Sequence, residues 1–447
     1  MALTGIQIYK LLPQTNCKEC GFPTCLAFAM KLAAKQIELS SCPYVNEAAK
    51  SQLAEASEPP VRLISVKSNG FDVQAGNEVV LFRHEKTFYH KPGVFLRVRD
   101  DESAETIKAE ITRAAGFQVN YVGRDLVLDG FAVEAVSGDV NKFTAAIAAI
   151  RDVTHRPIIL MSHDPAQISA GLRLLDGEHP LICGADVNNW AAMGELAKQH
   201  GAALVAVADT LDGLTDLAEK LKDKGVNDLV LAPSSHDLGA TLTLNTQIRR
   251  LALKKNFRPL GYPIMSLASH APDPAYEAML AAQAIAKYAG FIVLGHFQPE
   301  VVYPLLVLRE NIYTDPQKPI QVKPGLYEIN NPKADDPVLV TTNFSITYFS
   351  VANEVEGSGL PAWLLVTDAE GMSVLTAWAA GKFDAERIAK AVKEFGVADK
   401  VNRKRIVIPG HVALLSGELE EELPGWEIRV GPREAVDIPA FMKQVLA

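Results

Sequence analysis

Residues 157–233 read PIILMSHDPAQISAGLRLLDGEHPLICGADVNNWAAMGELAKQHGAALVAVADTLDGLTDLAEKLKDKGVNDLVLAP. Short β-rich apolar runs begin near Pro157, Leu181, Ala203 and Asp228, and stretches with helical spacing, such as 211–224, lie between them. The runs are too continuously apolar for a half-exposed antiparallel sheet, so they read as parallel strands covered by helices. Working outward, further runs begin near Val94, Phe131, Pro263 and Phe291, and Asp, Ser or Thr usually opens the helical stretch that follows. Eight strand–helix pairs between residues 93 and 313 are the arithmetic of a TIM (β/α)8 barrel. A doubly wound open sheet of eight strands is the competing arrangement.

At 447 residues the chain has length for about three domains. One break falls at 54–60, where Pro59 and Pro60 stop any helix. A second falls at 314–337, which carries Pro316, Pro319, Pro324, Pro332 and Pro337 and reads as a linker or a wrapped arm. The expected organisation is α/β and multidomain: a small domain at 1–57, a barrel at 58–325 with an N-terminal extension and C-terminal linker, and a third domain at 326–447. That third domain alternates again with about five strands. Trp363-Leu364-Leu365-Val366, Arg405-Ile406-Val407-Ile408 and Glu427-Ile428-Arg429-Val430 each precede a helix, which makes a small open, Rossmann-like α/β fold. Ligands of such sheets sit beyond the carboxyl ends of the strands, so Gly371, Gly410 and Gly431 at the strand-to-helix junctions would let backbone approach a large ligand. Trp363, Trp378 and Trp426 read as core of this domain, with Trp378 near enough to reach a ligand, and Glu418–Glu422 as a solvated helix face.

Composition excludes several classes. With 48% hydrophobic and 22% charged residues, 30 Gly and 26 Pro, the chain is neither disordered nor fibrous. A balance of 44 basic against 53 acidic residues gives −9, so no global field draws it to nucleic acid or anionic lipid. No run of 18 apolar residues exists to span a membrane. Residues 1–16 lack a basic region followed by an apolar core, so the expected compartment is the cytoplasm, where thiols stay reduced.

Four of the five cysteines crowd the first 42 residues as Cys17-x2-Cys20-x4-Cys25-x16-Cys42-Pro43. Three close thiols and a distant one followed by Pro are nearer to iron-sulfur ligation than to the paired knuckles of zinc sites. The turn at 21–24 lets three sulfurs face one cubane, and a helix over 26–39 returns the fourth. An all-cysteine zinc site and plain buried thiols remain the alternatives. Cys183, inside an expected barrel strand, reads as a small apolar core residue.

Together, NCKECGFPTCLAFAMKLA (16–33), SCPY (41–44), the eightfold βα pattern, DAEGMSVLTAWAAGKF (368–383), IPGHVALLSGELEEELP (408–424) and VGPREAVDIPAF (430–441) resemble the large, or gamma, subunit of the corrinoid iron-sulfur protein. That family belongs to the acetyl-CoA synthase and carbon monoxide dehydrogenase system. The resemblance implies a 4Fe-4S domain on Cys17, Cys20, Cys25 and Cys42, a TIM barrel used as scaffold and subunit contact, and a C-terminal cobalamin-binding domain. It further implies a heterodimer with the small subunit. The corrinoid cobalt, as Co(I), would accept a methyl group from a methylated tetrahydrofolate or tetrahydrosarcinapterin through a separate methyltransferase and deliver it to the nickel site of acetyl-CoA synthase. No side chain is then catalytic, because the cobalt is the nucleophile. The cluster, fed by a ferredoxin or reductive activator, would return Co(II) to Co(I). The connection at 54–60 would let the cluster domain move to reach the cobalt.

The residues suit that chemistry in one respect. A nitrogen ligand below the ring would stabilise oxidised cobalt, and none of the ten histidines sits in the Asp-x-His-x-x-Gly pattern that supplies one; Ser235-His236-Asp237-Leu238-Gly239 does not match. The expected cofactor is a base-off corrinoid without histidine ligation, although His411 is the one histidine placed to compete. By position the expected corrin shell is Thr341, Thr342, Asn343, Thr347, Gly371, Met372, Ser373, Val374, Thr376, Gly410, His411, Gly431 and Pro432. His163, Asp186, Asn188, Asn189, Asp209, His236 and His296 fall at barrel strand ends, where a carboxylate and amides at 186–189 could clasp a pterin. Two rival readings follow: an iron-sulfur electron-transfer protein without corrinoid, and a self-contained pterin-dependent methyltransferase using the barrel.

Overall fold

The computed structural model describes residues 5–33, 37, 39–46, 49–50, 53, 59–121, 124–314 and 320–446. They divide into two compact units, one of Met1–Phe117 with Val127–Tyr313 and one of Gln118–Leu126 with Thr314–Ala447. Most of the expected connection at 54–60, and with it the notion of a moving cluster domain, lies outside the described residues.

In the first unit β1 (Ile64–Ser68) and β2 (Phe71–Ala75) form an antiparallel hairpin. The eight expected runs become β3 (Gly93–Arg99), β6 (Gly130–Glu134), β7 (Ile158–Met161), β8 (Leu181–Ala185), β9 (Ala203–Ala208), β10 (Leu229–Pro233), β11 (Ile264–Ser266) and β12 (Ala289–Leu294). All pairs are parallel, and β12 closes on β3, which decides for a barrel against an open sheet. The interior is packed, not hollow: Phe95 and Phe291 sit with ring centroids 6.2 Å apart among Ala132, Ile159, Val205, Val230 and Met265. Ile64, Val66 and Ala75 of the hairpin join the same cluster and plug the amino-terminal end of the barrel, a feature the sequence reading did not resolve. The covering helices behave as their spacing demands. Leu211–Asp223 buries Leu214, Leu217, Ala218 and Leu221 on one stripe, and its cap Thr210 accepts from the Gly213 N–H.

The second unit takes in β4 (Val119–Tyr121) and β5 (Arg124–Leu126), a hairpin inserted between the first barrel helix and β6. Its sheet runs β13-β15-β14-β16-β17, with β13 (Gly325–Ile329), β14 (Val338–Thr342), β15 (Ala362–Thr367), β16 (Arg405–Ile408) and β17 (Glu427–Val430). β13 is antiparallel to β15 at the edge, and the other neighbours are parallel. The segment at 314–337 is therefore not only a linker: its prolines flank a strand, and edge strands tolerate such flanks.

Side chains alternate across this sheet. Val338, Val340, Trp363, Leu365, Ile406 and Ile408 pack with helix Ala385–Glu394 on one face, while Leu339, Leu364, Val366 and Val407 pack with Val355, Ile438 and Met442 on the other. The chain thus leaves β14 on one face and β15 on the opposite face. Trp363 is buried and Trp426 packs beside that core, but Trp378 is 38% exposed, so it is not core as expected.

Near the amino terminus, helices Gly5–Leu11 and Cys25–Ala33 pack together, with Ile8, Leu12, Phe28 and Ala29 buried in a small separate core. The described helix ends at Ala33, and much of the expected remainder to residue 39 lies outside the described residues.

Candidate cofactor sites

In the second unit a pocket forms where two neighbouring strands part. β14 pairs with β16 only at Val338↔Ile406 and Leu339↔Val407, although the strands run on to Thr342 and Ile408. The chain passes from β14 to its neighbour on one side, β15, and from β16 to its neighbour on the other, β17, so the strand order reverses here, at the switch point where open α/β sheets take ligands. A cleft of about 360 Å³ opens there. Of the expected shell it is lined by Thr341, Thr347, Ser373, Val374, His411, Gly431 and Pro432. Leu339, Val340, Val407 and Ile408 supply an apolar floor from the strands themselves.

Thr341 is fully buried, and its hydroxyl has no hydrogen-bond partner among the described residues. A buried polar group left unpaired costs about 1–3 kcal/mol, so this hydroxyl is a local energetic cost in the wall of the cleft. Thr342 shares the burial and the orphaned hydroxyl but does not line the cleft.

The other expected shell residues stand elsewhere. Asn343 is an organiser: its Oδ1 accepts from the Ala369 and Gly371 N–H groups at 2.9 Å each, and its Nδ2 donates to Asp368 Oδ1 at 3.1 Å. Gly371 is held by that bond, Met372 packs on the core, and the Thr376 hydroxyl accepts from Ser373 at 3.0 Å. Gly410 makes room for backbone rather than ligand; a Cβ there would lie 2.5 Å from the Gly431 carbonyl oxygen. Its N–H donates to the Pro432 carbonyl at 3.0 Å, tying the β16 and β17 exit loops together. His411 stands at the rim with Nε2 3.9 Å from Glu434 Oε1.

The sequence reading missed Ile346, Ser350, Val351, Leu375, Arg433, Glu434 and Ile438, which also line the cleft. The first three, with Thr347, form one stripe of helix Ser345–Ser358, and that spacing was the signal available.

Three of the four amino-terminal cysteines share one small core. Cys25 and Cys42 are buried, Cys20 packs against them, and Cys17 is exposed. Asn16, at φ +51, turns the loop back so that its N–H donates to the Cys25 Sγ at 3.4 Å while its Oδ1 accepts from the Cys25 N–H at 2.8 Å. An N–H aimed at a sulfur is the kind of outer contact that orients a metal-ligating cysteine. Among the described residues no three His, Cys, Asp or Glu side chains stand close enough to hold a metal ion. The donor chemistry thus fits a cluster, while three of the sulfurs share a core, Cys17 stands exposed beside it, and the four form no closed ligand set.

The barrel mouth holds a polar cavity of about 580 Å³. His163, Asp186, Asn188, Asp209 and His236 line it. Asn189 instead locks the loop through His163 and Gly184 carbonyls at 2.8 and 2.9 Å, and His296 is outside the cavity, paired with Glu277 at 2.6 Å. Gly184, at φ +128 where β8 shifts register, comes so near Ser162 that a Cβ would lie 2.3 Å from its carbonyl oxygen. Glu134 accepts from Arg97 at 2.8 Å and stands 2.9 Å from His270, and burial with the neighbouring His270 charge lowers the pKa of His236. Cys183 forms part of the floor; burial, with a contribution from Glu134, pushes its thiol up to about 12, so it stays protonated and inert.

Comparison with known proteins bears on the family and on the amino-terminal segment. The family model described as "CO dehydrogenase/acetyl-CoA synthase delta subunit" matches residues 64–442. The "Corrinoid/iron-sulfur protein large subunit" of Moorella thermoacetica is 43% identical over 447 residues, all of both chains. This chain belongs to the corrinoid/iron-sulfur protein large-subunit family. Its archaeal members include the acetyl-CoA decarbonylase/synthase complex subunit gamma 1 of Methanosarcina mazei, 34% identical over 98% of this chain and 97% of the relative. A second family model, described as "Putative Fe-S cluster", matches residues 12–44 and so spans all four amino-terminal cysteines. Dihydropteroate synthase from Thermus thermophilus, in complex with 6HMPPP, covers 57% of this chain and 100% of its own at 16% identity and a TM-score of 0.40, a likeness too slight to add to what the strand pairing establishes. Among the described residues no helix is long and apolar enough to cross a membrane.

Proposed function

We propose that this chain is a corrinoid methyl carrier that receives a methyl group from a methyl-pterin:corrinoid methyltransferase and delivers it to acetyl-CoA synthase. The observation that carries the reading is the cleft at the β14/β16 switch point, with the buried, unpaired Thr341 hydroxyl in its wall. A corrinoid bound there supplies a cobalt nucleophile for methyl transfer. Leu339, Val340, Val374, Val407 and Ile408 would exclude water from its face, while Thr341, Thr347, Ser350 and Ser373 offer hydroxyls to its peripheral amides. His411 is the only histidine in the lining and stands at the rim beside Glu434, which favours a base-off corrinoid with no protein imidazole on the metal.

Cys17, Cys20, Cys25 and Cys42 would hold a 4Fe-4S cluster, which supplies single electrons for reactivation. The Asn16 N–H would tune the Cys25 thiolate, and a reducing compartment such as the cytoplasm keeps all four sulfurs available. The small subunit, acetyl-CoA synthase/CO dehydrogenase and a ferredoxin or reductive activator complete the expected set of partners. An iron-sulfur carrier without corrinoid leaves the cleft and its unpaired hydroxyl unexplained.

Anaerobic purification followed by visible spectroscopy and metal analysis tests the reading. Corrin bands with about one cobalt and about four iron per chain are expected. Iron without cobalt, and no uptake of added cobalamin, would leave only the electron carrier.

A further inference from the structure

The corrinoid reading leaves the charge of the cleft unassigned, and that charge has a chemical meaning. Its lining is apolar and hydroxyl-bearing apart from His411, Arg433 and Glu434. Glu434 lies beside His411, 3.9 Å from its Nε2. Arg433 has no ion pair or side-chain hydrogen bond among the described residues, so although Glu434 follows it on the same rim, its guanidinium is engaged by neither that carboxylate nor any other.

The backbone that carries Arg433 is fixed. Gly431 donates to the Ile408 carbonyl at 2.9 Å and Gly410 to that of Pro432 at 3.0 Å. A Cβ on Gly410 would stand only 2.9 Å from the Arg433 amide nitrogen, so the two exit loops are in direct backbone contact. The planar fork of an arginine on such a base matches the paired oxygens of a phosphodiester better than any other group found on a corrinoid, whose ring periphery is otherwise neutral amide.

We propose that Arg433 binds the phosphodiester of the corrinoid's nucleotide tail and so makes the cleft select complete corrinoids over those lacking the tail. The inference rests on the corrinoid reading above. It makes Arg433 a specificity residue and gives it no part in the chemistry at cobalt.

The test is equilibrium binding, read by the shift in corrin absorption. Cobalamin and cobinamide, which lacks the nucleotide and its phosphodiester, are titrated separately into the full-length, cluster-bearing chain freed of corrinoid. Wild type is expected to favour cobalamin by about tenfold or more, a preference that shrinks as salt is raised. Arg433→Gln should weaken cobalamin binding by about that factor and leave cobinamide unchanged, and Arg433→Lys should restore part of the difference. Because Arg433 is exposed, these variants should keep the wild-type melting temperature. Equal binding of both corrinoids by wild type, or an equal loss of both in Arg433→Gln, overturns the inference while leaving the corrinoid reading intact. Binding of neither corrinoid by wild type overturns both.

Discussion

Replacing Thr341 by Val should move stability and binding in opposite directions. The two side chains have nearly the same shape, so the exchange deletes a hydroxyl and leaves the packing of β14 in place. In the corrinoid-free protein that hydroxyl is fully buried without a partner, at a cost of about 1–3 kcal/mol. Taking the low end, Thr341→Val stabilises the second unit by about 1 kcal/mol, a rise of roughly 3–4 °C in its melting temperature. Once a corrinoid amide bonds the hydroxyl, the same exchange removes a neutral hydrogen bond of about 0.5–1.5 kcal/mol and weakens binding roughly two- to tenfold. Calorimetry of the free protein and absorption-monitored titration give the two numbers. Thr341→Ser, which keeps the hydroxyl and loses the methyl, should lower stability and hold affinity near wild type. A Thr341→Val variant that melts lower and binds as well as wild type would refute the reasoning, because the hydroxyl would then have its partner within the chain.

Further outcomes follow from other sites. Cys42→Ala should remove iron and the broad visible absorption of a cluster while cobalamin titrates normally; retention of full iron would take Cys42 out of the ligand set. Asn343→Ala strands the buried Ala369 and Gly371 N–H groups and should cost roughly 2–4 kcal/mol in urea unfolding, against well under 1 kcal/mol if those amides find new partners. The Asp228 carboxyl is held below its ordinary value of 3.8 by its hydrogen bond with His179, aided by the charge of Arg62. Its contribution, about 0.5–1 kcal/mol given its partial exposure, is present above that ordinary value and is lost as pH falls through the depressed one. Wild type should therefore exceed Asp228→Asn in stability at neutral pH and converge with it in acid; a gap independent of pH would mean that the ionised carboxylate is not its source.

How far the fold could be read in the sequence depended on whether burial left a local mark. Barrel strands are apolar on both faces, so runs such as Leu181–Ala185 stood out, and capped helices between them fixed their number. β13 did not stand out because an edge strand among prolines shows no sustained pattern, and the β1–β2 hairpin is defined by the barrel floor it closes rather than by its own alternation. At the cleft, the strand-end residues Thr341, His411 and Gly431 were legible from topology alone. Ser350 and Val351 had only the helical stripe begun by Thr347 to mark them, and the residues of the loop after Pro432 had no mark at all, because their position depends on how the β16 and β17 exit loops meet at Gly410. Asn343, expected in the shell, stands in a loop clasp outside the cleft lining for a related reason. Its residue type suits a ligand edge and a loop clasp equally well, and only its hydrogen bonds to Ala369 and Gly371 tell them apart.

Hydrogen exchange of the full-length chain with and without cobalamin, under anaerobic reducing conditions, tests the central claim most directly. Protection should concentrate at 339–347, 373–375, 407–411 and 430–435, the segments that wall the β14/β16 cleft. Protection at the barrel mouth instead, around 134–135, 161–163, 186–188 and 207–210, or no protection anywhere, would contradict the account.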